Sequence, residues 1–183
     1  MNDLSIYFSP LPEEDVNYEG EQIGQIIISN FREFPEIASK SIALFSVPEF
    51  RGNADHKNND SRSEFRSKLK QLSRSKNWNS TIYDLGTIIP GEELKDTYFA
   101  ISSVVHELIK NDVIPILIGG SQDLVLAAYD AYAKLEQLVN ICSIDHSLDI
   151  GGPEVAISHN AYLTSLLLKR PCYLFNHANI GLQ

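Results

Sequence analysis

The chain has 183 residues, enough for one domain with a sizeable core, and its 43% hydrophobic and 21% charged residues are typical of a soluble globular protein. The net charge of −9 argues against a general nucleic-acid binder, and no apolar stretch approaches the ~20 residues of a membrane-spanning helix. The acidic N-terminus does not resemble a secretory signal, so we expect a cytoplasmic location, with Cys142 and Cys172 as buried free thiols in predicted strands.

The first predicted strand and helix follow an N-terminal segment, residues 1–40, whose structure the sequence does not define. Within that segment, residues 20–31 fit either a helix or a strand. The apolar run at 41–47 predicts a buried strand that Pro48 ends. After a polar loop, residues 63–76 predict a helix with Ser61 or Ser63 as its cap and with three residues on its apolar face, namely Phe65, Leu69 and Leu72.

Strands and helices then continue to alternate. Residues 80–86 predict a strand that ends at Gly86, and residues 90–112 predict a long amphipathic helix. The apolar stripe of this helix contains Tyr98, Ile101, Val105 and Leu108.

Further strands are predicted at 113–120, at 139–145 and from residue 172. The helix at 123–138 separates the first two of them, with Leu124, Ala128, Ala131 and Leu135 predicted to face inward. The helix at 158–170, with Ser158 as its cap, separates the last two. Strands separated by helices of this length predict parallel βαβ units and an α/β fold with a doubly wound, three-layer, mostly parallel sheet.

Residues 51–76 are strongly basic, with eight Lys and Arg against three acids. This pattern is typical of a solvated helix face, and a contact with an anion or a partner is the alternative.

Polar side chains follow two of the predicted strands where each strand ends, which is where ligands bind in an open α/β sheet. The first group is the turn Gly119-Gly120-Ser121-Gln122-Asp123. The second is Asp145-His146-Ser147-Leu148-Asp149, in which a period of two places Asp145, Ser147 and Asp149 on one side and His146 on the other. Two carboxylates on one side can begin a cation site, although acids at strand ends often only cap helices or form turns.

These elements resemble the ureohydrolase superfamily, which contains arginase, agmatinase and formimidoylglutamase. The resemblance rests on the order of elements, the "DLG" at 84–86, the Gly-Gly turn that opens a helix and the acid-rich strand end, and it covers about residues 41–183. It implies an arginase-like α/β domain over 41–183. It also implies hydrolysis of a guanidino or formimino C–N bond by two manganese ions that activate a bridging hydroxide.

The family's metal motifs are only partly matched. Gly119 and Gly120 match the turn glycines, and Asp145 and Asp149 match the two ligand aspartates, whereas Gln122 and Ser147 stand where the family has ligand histidines. The later D-x-D motif does not occur between Asp149 and Gln183, and the family's glycine-rich substrate loop is replaced by residues 51–60. Family chains continue with more strands, so we expect either the N-terminal part of a longer protein or a homo-oligomer that covers the sheet edge.

Three functional hypotheses follow. The first is a ureohydrolase-like protein whose manganese site is degraded and whose role is binding or assembly. The second is a hydrolase of a linear amidino or guanidino compound with an altered metal site, in which Asp145 and Asp149 hold the ion and His146 or His159 moves protons. In the third, an α/β interaction module, both aspartates are structural. We expect His177, just past the last predicted strand, to be a loop residue; the alternative is that it reaches the cleft at the carboxyl edge of the sheet.

Overall fold

The structure is a computed structural model that describes residues 3–13, 18–53, 62–152, 154 and 156–183. Its internal contacts divide the chain into two compact units. Unit one takes its residues from 1–48, 57–90 and 107–119, and unit two from 49–56, 91–106 and 120–183. Among the described residues no helix is both long and apolar enough to cross a membrane.

Unit one contains a five-stranded sheet. Its strands are β1 (Phe8–Ser9), β2 (Ile27–Ser29), β3 (Ile42–Ser46), β4 (Ile82–Ile88) and β5 (Ile114–Ile118). The strand order is β1-β4-β3-β5, β2 also pairs with β4, and every pairing except β1 with β4 is parallel. The prediction of an α/β fold with a mostly parallel sheet is therefore confirmed, and the strand predicted at 41–47 is buried as expected.

The N-terminal segment contributes to this sheet. Within residues 20–31, the chain forms a short 3-10 turn at Ile23–Gln25 and then β2. The strand alternative therefore holds for the end of this stretch, because parallel pairing with β4 satisfies the backbone of Ile27–Ser29.

Helix α1 (Arg62–Gln71) buries a charged face, which corrects two predictions. Phe65 and Leu72 are exposed, while Arg66 and Lys70 are buried, so neither the apolar face nor a fully solvated basic face is present. The physical reason is that Arg66 reaches a buried carboxylate, Asp84 of β4. Ser63 lies inside the first turn and is not the cap, and Ser61 lies outside the described residues.

Strand β4 was predicted to end at Gly86, but in the structure it continues to Ile88. Its register against β3 shifts so that Leu44 is opposite Asp84 and Ser46 is opposite Thr87. Gly86 lies in this irregularity with φ +94°, a conformation that favours glycine.

Unit two is built from helices around a two-stranded parallel sheet. It contains most of α2 (Leu94–Lys110), then α3 (Val125–Ala133), β6 (Val139–Ile144), α4 (Tyr162–Leu168) and β7 (Leu174–Ile180). Its core cluster consists of Leu126, Tyr129, Tyr162, Leu163 and Leu166. The stripe predicted on α2 is confirmed, because Ile101, Val105 and Leu108 are buried.

Two details of the helix predictions are wrong. Residues Gln122–Leu124 form a 3-10 turn before α3, so Ala128 and Leu135 are only half-buried while Leu126 and Tyr129 are buried. Ala161 stands at the N-cap of α4, and the Ser158 hydroxyl bonds to Asn160 instead.

The cysteines are free, as predicted, but they are exposed rather than buried. Cys142 lies on the exposed face of β6, where alternate residues are open to solvent. Cys172 lies in the loop before β7 and not in a strand.

Candidate functional site

The candidate site begins at the turn after β5. Gly119 and Gly120 both have positive φ, +78° and +84°, so the left-handed conformation requires glycine at this turn. The chain then enters the 3-10 turn at Gln122–Leu124. This turn, with the Gln122 side chain, belongs to unit two.

The second part of the site follows β6. Asp145 and Ser147 are half-buried and Asp149 is 7% exposed, whereas the His146 side chain is 82% exposed. The burial of these residues follows the predicted alternation, but the chain does not stay extended: residues 145–147 bend and Asp149 has a φ of +50°.

Hydrogen bonds join three of the four positions to which the resemblance assigns metal ligands. The Asp145 carboxylate accepts a bond from the backbone N–H of Ser147. The Ser147 hydroxyl donates to Asp149 Oδ1 at 2.7 Å. The Gln122 amide lies 3.5 Å from the Tyr162 hydroxyl, and its interaction with the Asp145 carboxylate, together with the bond from the Ser147 N–H, lowers the pKa of Asp145 below the usual range of an aspartate.

Four further residues extend this network, and only His177 among them was considered from the sequence. Ser143 Oγ lies 3.2 Å from the Tyr162 hydroxyl and 3.0 Å from His177 Nε2, and the Asn179 amide donates to the carbonyl of Ser147. His177 lies within β7 and not in a loop, so the loop prediction is wrong. The pairing of β7 with β6 brings these residues together, because Ile141 lies opposite His177 and Ser143 opposite Asn179.

Two buried acceptors in this network have no hydrogen-bond donor among the residues that the structure describes: Asp149 Oδ2 and Asn179 Oδ1. Both residues bond to Ser147, through its hydroxyl and its carbonyl. Most buried acceptors in folded proteins are paired, so such atoms mark a place for a water, a cation or a donor group of a ligand. Among the described residues, no three or more His, Cys, Asp or Glu side chains are grouped so that they could hold a metal ion.

The two histidines predicted to move protons lie differently. His146 Nδ1 is 2.8 Å from Asp145 Oδ1, although the ring is open to solvent. The backbone N–H of His159 donates to the carbonyl of Gly52, and its ring Nδ1 lies 3.3 Å from the same oxygen. The catalytic role of both residues stays a prediction.

The loop after β3 contains a buried glutamate, Glu49, that bonds to the turn after β5 through its backbone and to Arg51 and Thr97 through its carboxylate. Arg51 and the Thr97 hydroxyl bond to the Glu49 carboxylate, and the Glu49 carbonyl accepts the backbone N–H of Ser121. Burial raises the pKa of Glu49, but the bonds from Arg51 and Thr97 outweigh that effect and lower the pKa overall.

A second buried carboxylate, Asp123, lies beside the same loop. It accepts a hydrogen bond from the Tyr98 hydroxyl, and its Oδ1 has no partner within the described part of the chain. A side chain on Gly52 would meet that oxygen at 2.1 Å, so the loop must approach with a glycine. Burial and the neighbouring Asp123 raise the pKa of Tyr98, which therefore stays protonated.

This geometry can be compared with known proteins. A scan against protein-family models and a search of curated protein sequences gave no match. Solved structures do match. Formimidoylglutamase from Bacillus subtilis superposes with a TM-score of 0.69 at 19% identity over 86% of this chain, and arginase from Medicago truncatula with 0.65 at 17% over 78%. Formiminoglutamase from Trypanosoma cruzi, solved with Mn²⁺, gives 0.62 at 20% identity over 72%.

The chain has the fold of the ureohydrolase superfamily. It spans about half the length of these enzymes: the matches cover 52%, 50% and 48% of their chains. The predicted fold class and the predicted resemblance are confirmed at the level of the fold. In this fold, the loops after β5 and β6 bring Gln122, Asp145, Ser147 and Asp149 close together, and their correspondence to the family's metal ligands stays a prediction.

Proposed function

We propose that this chain is a ureohydrolase-like protein that no longer uses a dinuclear manganese site and that acts by binding or assembly. The observation that supports this proposal is the identity of the side chains at the substituted ligand positions and the groups that they contact. Gln122 and Ser147 stand where the resemblance places imidazoles; the Ser147 hydroxyl bonds to Asp149, and the Gln122 amide lies beside the Asp145 carboxylate, whose pKa it lowers. An amide and a hydroxyl are weak ligands for a transition metal, so this donor set does not fit a manganese pair.

A thermal melt with and without Mn²⁺ tests this proposal, because a ligand that binds only the folded state raises the melting temperature. We expect no rise with Mn²⁺. We also expect the double variant Asp145→Asn, Asp149→Asn to lower the melting temperature slightly, because a pKa that is lowered in the folded protein means that folding stabilises the ionised carboxylate of Asp145. Asp112→Asn, which removes an exposed acid before β5, is the matched control. A clear rise with Mn²⁺ that the double variant abolishes and the control keeps would overturn the proposal.

The alternative is a hydrolase of a linear amidino or guanidino compound with an altered metal site. The unpartnered acceptors Asp149 Oδ2 and Asn179 Oδ1 favour it, because oxygen acceptors suit a hard cation such as Mg²⁺ or Ca²⁺. In that case Asp145 and Asp149 would hold the ion with help from Gln122 and Ser147, and His146 or His159 would move protons. Consumption of arginine, agmatine or formiminoglutamate in the presence of Mn²⁺, Mg²⁺ or Ca²⁺ would support this alternative.

We also propose that residues 41–183 form the arginase-like domain and that another polypeptide covers its exposed apolar strands. In unit one, Ile114 and Ile116 of β5 are exposed, and in unit two so are Ile144 of β6 and Ile180 of β7. A second copy of the chain or the remainder of a longer protein would bury these side chains. A cytoplasmic location stays a prediction.

A further inference from the structure

A cleft of about 680 Å³ lies in unit two, away from the candidate site. Its walls come from the first half of α2, the end of α3 and the segment between α4 and β7. Glu136 and Tyr173, which line it, precede β6 and β7, so the cleft lies at the amino ends of these strands. Asp145 follows the carboxyl end of β6, and none of the four ligand positions lines the cleft. A cavity of this size is typical of small-molecule sites.

The cleft is positively charged, although the chain carries a net charge of −9. Two acids line it, Asp130 and Glu136. The cations that line it are more numerous, namely Lys95, Lys134, Lys169 and Arg170. Two of the cations are already neutralised, because Lys95 pairs with Glu93 at 2.6 Å and Lys169 pairs with Asp130.

The other two cations keep their charge available. Lys134 Nζ donates to the hydroxyl of Ser102 at 3.0 Å, and Arg170 donates to the backbone carbonyls of Leu167 and Lys169. Neither has a carboxylate partner among the residues that the structure describes. Hydrogen bonds to neutral oxygens hold a cation in place without cancelling its charge, so Lys134 and Arg170 remain able to attract an anion.

Aromatic rings form the rest of the walls: Tyr98, Phe99, Tyr129 and Tyr173. Phe99 is 63% exposed, which is unusual for phenylalanine, and Lys134 Nζ lies 5.7 Å from its ring centroid. The Tyr129 hydroxyl accepts the backbone N–H of Tyr173 at 2.7 Å, which fixes the opposite wall. An open ring beside an available cation suits a ligand with a flat apolar body and an anionic head.

We propose that this cleft binds a small ring-containing organic anion whose carboxylate or phosphate group meets Lys134 and Arg170 and whose ring packs on Phe99. This site is separate from the one in the proposed function and does not depend on it. The ligand class also differs from the linear guanidino and formimino compounds considered for the candidate site, because it contains a ring.

Isothermal titration of the purified chain with two anions and their neutral counterparts tests the proposal. The carboxylate probe is 2-naphthoate, compared with 2-naphthamide, and the phosphate probe is adenosine 5′-monophosphate, compared with adenosine. We expect at least one anion to bind about tenfold more tightly than its neutral counterpart, a difference of about 1.4 kcal/mol. The anion that binds identifies the head group as a carboxylate or a phosphate.

Variants locate the binding. The double variant Lys134→Gln, Arg170→Gln should weaken the anion at least about tenfold. Lys110→Gln, which removes a lysine from the last turn of α2 outside the cleft, should leave affinity unchanged. All three residues are exposed, so the variants are expected to fold, and a circular-dichroism melt checks this. Absence of binding by both anions, equal affinity for the neutral counterparts, or equal effects of the two variants would each overturn the proposal.

Discussion

At the scale of single residues, the ion pair between Arg66 and Asp84 organises unit one. Arg66 Nε and Nη2 bond to the two carboxylate oxygens at 2.9 and 3.1 Å, and the guanidinium also reaches the Ser46 hydroxyl and the Gly86 carbonyl. Both partners are buried. Because each charge is desolvated and satisfied by the other, the loss of one leaves an uncompensated buried charge.

Arg66→Met should therefore destabilise the protein by about 3–5 kcal/mol, measured by urea unfolding. The control is Lys68→Met, two residues along α1, where an exposed pair with Glu64 at 2.7 Å should contribute less than about 0.5 kcal/mol. Equal losses in the two variants would show that the buried pair is not what makes Arg66 important.

At the scale of elements, the irregularity in β4 depends on one glycine. A side chain at Gly86 would lie 2.4 Å from the carbonyl oxygen of Ser9 in β1, and its φ of +94° is strained for any other residue. The bulge lets β4 continue beside β3 while its end pairs with β1. The glycine thus connects a local backbone conformation to the strand order of the sheet.

Gly86→Ala should lower the free energy of unfolding by about 2–5 kcal/mol, because backbone strain adds to a clash with a fixed backbone atom. Gly20→Ala is the matched control, since Gly20 also has positive φ, +61°, but no described residue lies within 4 Å of its added Cβ. The control should lose only the strain, about 1–2 kcal/mol. If chemical denaturation gives the same loss of unfolding free energy for both variants, the close contact with Ser9 does not contribute to the cost of a side chain at position 86.

At the scale of the whole molecule, exposed apolar surface and net charge have opposite effects on self-association. Ile144 of β6 is 86% exposed and lies opposite Ile180 of β7, which is also exposed, so the outer face of this strand pair is open. Exposed apolar strand surface favours association, while a net charge of −9 opposes it through repulsion.

We expect the chain to self-associate with increasing concentration, and the double variant Ile144→Thr, Ile180→Thr to weaken that association about tenfold or more in analytical ultracentrifugation. Threonine keeps the β-branch that strands favour, so stability should change by less than about 0.5 kcal/mol. Ile89→Thr, at an exposed isoleucine outside this face, should leave association unchanged. Identical behaviour of the three proteins would contradict a role for this face.

Much of the candidate site could be predicted from local patterns. The apolar runs at 41–47 and 139–145 predict strands because β-branched residues are frequent in sheets, and the position of Asp145, Ser147 and Asp149 just after β6 indicates that they share one strand end. What local patterns could not indicate were partners distant in the chain. Ser143, Tyr162 and Asn179 join the site only because β7 pairs with β6 and α4 packs beside them.

The sequence by itself determined the α/β fold class, the order of its elements and the strand ends that carry the candidate residues, because periodicity and turn glycines act over a few neighbours. Only the tertiary structure decided which side chains are buried. Arg66 is inside because Asp84, 18 residues away, neutralises it, while Phe65 and Cys142 are exposed because no described element covers them. Burial is a property of long-range contacts, and a local pattern cannot specify the partner that makes the burial of a charge favourable.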